Sequence, residues 1–187
     1  MSISCAVERS FRDLLLKMPY EKITISMICK AAGVSRTAFY KCFSDKDDLV
    51  EKLIDKDIVQ PILTLREMLP TKRIKSAPQL VTEQIYQGFI DNKEYYTRVN
   101  NIDNHRFLLK YLAGKLNALN NKIVEEYDLP EREKYYMAYF YAAANAILIS
   151  KWIENGMDMA PSALSSYYNK WAGHYLTQAS PFALDWS

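Results

Sequence analysis

Six neighbouring side chains, Ser35, Arg36, Thr37, Ala38, Tyr40 and Lys41, are of the types that meet nucleic acid. An arginine offers a fork of N–H groups to the O6 and N7 of a guanine, a threonine hydrogen-bonds a base or touches a thymine methyl, and an alanine makes apolar contact only. A tyrosine and a lysine one turn further along suit phosphates, contacts that position a protein without naming a sequence. Base contact requires such residues at the N-terminal end of a short helix lodged in a major groove. Thr24, both helix cap and phosphate contact, and Lys46 complete the set. A cation at a helix start makes sense if a phosphate approaches the same helix end.

The elements needed to position these residues are legible around them. Thr24 is a good N-cap, and Ile25, Ile28 and Ala32 recur at helical spacing, predicting a helix over residues 25–32. Gly33 ends it, and Ser35 caps a second helix, predicted over Arg36 to Phe43, after a turn of about three residues. SDKDDL then starts a third helix, capped by Ser44 or Asp45, with Asp47 and Asp48 complementing its dipole. A covering helix precedes all three, from about Ser4 to Met18, with Val7, Phe11, Leu14, Leu15 and Met18 in one stripe and Pro19 closing it. The third helix continues toward Met68 and should kink at Pro61.

AAGVSRTAFYKCFSDKDDLV, residues 31–50, resembles the DNA-binding signature of the tetracycline-repressor (TetR) family of transcription regulators. Gly33, Val34, Ser35, Phe39, Tyr40, Phe43, Lys46 and Leu49 fall in place, while Thr37, Ala38 and Cys42 depart from the residues usual there. The resemblance covers about the first 55 residues. It implies a helix-turn-helix reading head, and a connector helix whose motion changes the separation of two heads in a dimer.

Composition narrows the alternatives. With 49% apolar residues and 5 glycines, the 187-residue chain is globular. A net charge of +2 does not itself mark a nucleic-acid binder, but Lys17, Lys22, Lys30, Arg36 and Lys41 face only Glu21 between positions 17 and 41. Three cysteines without a CxxC pair, and two histidines, argue against a zinc site, a disulfide framework or any other metal centre. No Ser-His-acid pattern, phosphate-cradling loop or HExxH is present, so no catalytic residue and no cofactor are expected. No apolar run approaches a membrane span, and no signal peptide is visible, which points to a cytoplasmic protein.

The rest of the chain reads as helices. PTKRIKSAP, residues 70–78, is a linker in which Ser76 caps a helix from about Ala77 to Asn92. Further helices are predicted over Lys93 to Val99 and from Phe107 to about Tyr127, either side of an Asn-rich turn. Pro130 opens another, and Tyr135 to Ile153 is apolar on nearly all sides, predicting a central helix buried all round. Pro161 and Ser162 start the last, with an aromatic stripe that includes Tyr167, Tyr168 and Trp171.

The fold class is therefore all-α: a three-helix DNA-binding domain over residues 1–55 and a helical ligand-binding and dimerisation domain over residues 56–187. Ala142, Ala143, Ala144 and Ala146 permit close helix approach, predicting a homodimer on a pseudo-palindromic operator in double-stranded DNA. Tyr96, Asn100, Tyr111, Tyr139, Asn145 and Trp152 combine aromatic walls with polar groups, the mixture of a small-molecule effector site. The reading is a dimeric regulator, more often a repressor in such a design. The alternative is a helical regulator acting mainly through a protein partner, as a coactivator.

Overall fold

The computed structural model describes residues 2–68, 78–125 and 128–177, and every regular element among them is helical. Helix α1 (Ile3–Lys17) begins at Ser2, whose side chain accepts from the Cys5 N–H, and buries Val7, Phe11 and Leu15. Met18, preceding Pro19, has the extended backbone that a following proline favours. A 3₁₀ turn (Tyr20–Lys22) leads to α2 (Ile25–Ala32). Gly33 stops α2 at φ 66°, where a side chain would be strained, and the Val34 N–H closes the end on the Cys29 carbonyl at 3.0 Å. Residues 33–35 are the whole turn before α3 (Arg36–Tyr40).

The second helix is three residues shorter than its predicted end at Phe43. The N–H groups of Cys42 and Phe43 both reach the Phe39 carbonyl, at 2.9 Å each, so the chain tightens and turns. That turn brings the Phe43 ring into the core, 5.5 Å from the ring of Phe39. Helix α4 (Lys46–Ile54) follows and buries Leu49, Val50, Leu53 and Ile54.

At Pro61 the expected kink takes the form of a π-helical turn (Asp55–Val59) before α5 (Gln60–Met68). Pro61 has no N–H for the Asp57 carbonyl, and the Gln60 N–H reaches back to Asp55 in the wider ring. Gly88 faces this turn: a Cβ there would lie 2.8 Å from the Asp57 oxygen and 2.7 Å from Ile58 Cδ1.

The body comprises α6 (Pro78–Asp91), α7 (Lys93–Asn100), α8 (Arg106–Val124), α9 (Glu131–Glu154) and α10 (Pro161–Thr177). Helix α9 packs chiefly on α8, α10 on α6, and α7 touches both α1 and α9. Asp103, Asn104 and His105 all take positive φ in the turn before α8. Residues 70–77 of the expected linker, Ser76 with them, lie outside the described residues, as do residues 126 and 127.

Helix α9 corrects one expectation. It buries Ala138, Ala142, Ala146 and Ile149 against its neighbours, yet Tyr135, Tyr136, Tyr139, Phe140 and Ile147 are each more than half exposed. An apolar sequence shows that a face avoids water, not whether the same chain covers it.

Candidate nucleic-acid interface

Helix α3 is five residues long, too short to hold itself, so its position depends on packing. Phe39 supplies that packing with a fully buried ring, and Ser35 caps the helix by accepting the Ala38 N–H at 3.1 Å. With Phe39 turned inward, Ser35, Arg36, Thr37, Tyr40 and Lys41 are exposed and Ala38 is half-buried. The Tyr40 ring stands edge-on to Phe39. Among the described residues no side-chain hydrogen bond or ion pair holds the Arg36 guanidinium or the Lys41 ammonium.

Helix α2 packs against α3 and has an exposed start. Thr24 is exposed and accepts the Met27 N–H at 3.2 Å, while Lys22 and Ser26 on either side are also exposed. Ser26 was not singled out in the sequence, although a hydroxyl in the first turn of a helix is a usual phosphate contact.

Lys46 is not a free surface cation. Its ammonium donates to the Tyr20 carbonyl at 2.9 Å and lies 4.1 Å above the Tyr20 ring, and the Tyr20 hydroxyl donates to Asp47. This clasp fixes the start of α4 against the 3₁₀ turn before α2. A lysine has three N–H donors, so two remain for a phosphate. Burial, with Asp47 adding to it, raises the Tyr20 phenol well above its ordinary range. The clasp joins residues 26 positions apart, and no local spacing announces it.

The acids of α4 are engaged internally. Asp45 accepts the Asp48 N–H at 2.8 Å, and Asp48 accepts the Ser44 N–H and the Lys52 ammonium. Burial alone would raise the Asp48 carboxyl, but these two donors outweigh it and hold the group below its usual range.

The six residues proposed for an effector site are placed as follows. Tyr96 donates to Asp57 at 2.9 Å, Tyr111 to the Glu51 carbonyl, and Trp152 to the Met159 carbonyl. Asn145 accepts from Tyr86 at 2.7 Å, and Asn100 exchanges hydrogen bonds with Ser150. Tyr139 stands 55% exposed on the open side of α9. Five of the six are thus tied by hydrogen bonds into the body, and two of them, Asn145 and Trp152, meet at Tyr86, whose ring lies 5.9 Å from that of Trp152. A groove of about 600 Å³ lies along the start of α9, between Pro130 and Tyr141, and a cleft of about 260 Å³ lies between Leu15, Tyr20 and Arg98. Among the described residues no group of three or more His, Cys, Asp or Glu could hold a metal, and no helix is long and apolar enough to cross a membrane.

Comparison with known proteins bears on the family and the fold. Residues 12–53 match the model of "Bacterial regulatory proteins, tetR family", and residues 76–171 match a "Transcriptional regulator C-terminal region" of the same group. A protein from Haemophilus influenzae described as an uncharacterized HTH-type transcriptional regulator is 24% identical, over 82% of this chain and 77% of its own. Among solved structures, the fatty acid degradation regulator FadR from Bacillus halodurans superposes with a TM-score of 0.68 at 15% identity, covering 96% of this chain and 98% of its own. The dihydroxyacetone kinase operon activator DhaS superposes at 0.63 and 19%, covering 92% and 95%. These two likenesses are of fold.

Proposed function

The chain belongs to the TetR family of transcription regulators, and from that premise we propose that it is a cytoplasmic homodimer that binds a pseudo-palindromic operator and represses until a small molecule releases it. Residues 1–55 form the reading head and residues 56–187 the body that dimerises and takes the effector. The observation that carries this reading is α3, whose exposed end offers Ser35, Arg36 and Thr37 around a buried Phe39, with the Arg36 guanidinium and the Lys41 ammonium unpaired among the described residues. Arg36 and Thr37 read bases with Ala38 beside them; Thr24, Tyr40, Lys41 and Lys46 take phosphates.

Dimerisation is supported by the aromatic face of α9, including Tyr135, Tyr136 and Tyr139, with Tyr167 and Trp171 stacked 5.7 Å apart on α10. Contiguous apolar surface of this kind marks a contact between proteins. The same face suits the alternative, a regulator acting through a protein partner. DhaS, described as an activator, makes activation the other possible sign of control.

The test is selection of bound sequences from short random duplexes at two salt concentrations. Enrichment of paired, inverted half-sites with steep salt dependence is the expected result. No enrichment and no salt-sensitive binding would favour the partner-protein reading instead.

A further inference from the structure

The junction between head and body is built from charge, and the π turn is its centre. Three consecutive residues there reach three different helices. Asp55 pairs with Lys115 of α8 at 2.9 Å, Lys56 with Glu8 of α1 at 2.6 Å, and Asp57 with Arg12 of α1 at 2.5 Å. The Asp57 oxygen that takes Arg12 also accepts the Tyr96 hydroxyl of α7 at 2.9 Å. Arg12 in turn reaches Asn92 at 3.3 Å, just before α7, and lies 4.2 Å above the Tyr95 ring. One carboxylate therefore holds an arginine from the reading head and a tyrosine from the body, both on a turn of the connector.

Three features show how firmly this junction is held. Arg12 and Asp57 are largely sheltered, with side chains 22% and 13% exposed, so neither can turn to water without leaving the other charge unpaired. Burial opposes the Arg12 charge, yet Asp57 overrides it and raises the guanidinium above its ordinary range. Gly88 seats the same turn directly on α6, where even a Cβ would meet the Asp57 carbonyl.

In a dimer, the angle at this junction sets how far apart and how rotated the two reading helices stand. DNA converts that into a count, because each added base pair moves a half-site by roughly 3.4 Å and about a tenth of a turn. We propose that Arg12, Asp57 and Tyr96 are positioning residues that determine the half-site spacing the dimer accepts, separately from the bases that α3 reads. This rests on the dimeric DNA-binding reading above.

The test is a duplex library carrying the half-sites selected by the wild-type protein, with the spacer between them varied. Asp57→Asn, Arg12→Gln and the double variant are compared, each checked for helical content. The double variant removes both charges together and so leaves no buried charge unpaired, which keeps the question open to test if a single variant unfolds. The wild type should favour one spacer. In the folded variants the ratio of best to next spacer should fall toward one while the half-site sequence stays the same. An unchanged spacer ratio in a folded variant overturns the inference, and so does a change in half-site sequence that accompanies the loss of spacing. Failure of the DNA reading itself would look different: the wild type would enrich no paired half-sites at all.

Discussion

Helices α3 and α9 solve opposite problems. The first has five residues, hides one aromatic ring and leaves mostly polar side chains outside; the second has 24 residues, buries Asn145 and Ser150 along with its apolar face and leaves several aromatic rings outside. On α3 the exposed groups are donors that a hydrated, charged surface such as DNA can use. On α9 the exposed rings of Tyr135, Tyr136, Tyr139 and Phe140 gain by leaving water, and the buried polar pairs Tyr86 with Asn145 and Asn100 with Ser150 fix how its neighbours sit. The contrast separates a surface that reads from a surface that joins.

The hardest test of that contrast removes the support under α3. Phe39→Ala empties a fully buried ring position and should cost about 3–5 kcal/mol, read by denaturant unfolding. A loss well under that range would mean α3 is held by something other than this ring. Next, Tyr139→Asp with Ile147→Asp places charges on the joining face. Sedimentation should show a monomer, and affinity for a two-half-site duplex should drop by about a hundredfold or more as the second head ceases to be tethered. A variant that stays dimeric would move the joining surface elsewhere.

Smaller effects sharpen the reading side. Arg36→Ala should cost roughly 1–3 kcal/mol of binding and relax preference at one position per half-site. Equal weakening on every sequence would make Arg36 a phosphate contact. Lys46→Ala should weaken binding to all sequences and make the salt slope shallower by about one. Because Lys46 also clasps Tyr20, a fall in thermal stability with an unchanged slope would show that the clasp is its whole role.

What the sequence revealed follows from how local each cause is. The caps Thr24 and Ser35, the stop at Gly33 and the buried stripe of α1 act within a turn or two and were readable, while the cap of α4 was narrowed to Ser44 or Asp45 and is Asp45. Phe43 ends α3 early because its ring packs on the Phe39 core, a tertiary cause invisible to periodicity. Pro61 announced a distortion but not that it would be a π turn seated on Gly88. Among the six body residues the sequence could not separate an effector site from core ties, because aromatic and polar types at helical spacing are equally what a core uses to hold its helices together. The junction of Arg12, Asp57 and Tyr96 spans 84 positions and left no trace in any motif.

Two helical glycines have opposite prospects under sequence drift. Gly114, on the exposed side of α8, has nothing within 4 Å of a would-be Cβ, and alanine there should gain roughly 0.5–1 kcal/mol from helix propensity alone. Gly88 would gain the same propensity and lose more, because its methyl would strike the backbone of the connector. Position 114 is therefore free to wander, while position 88 can change only if the connector first finds another path.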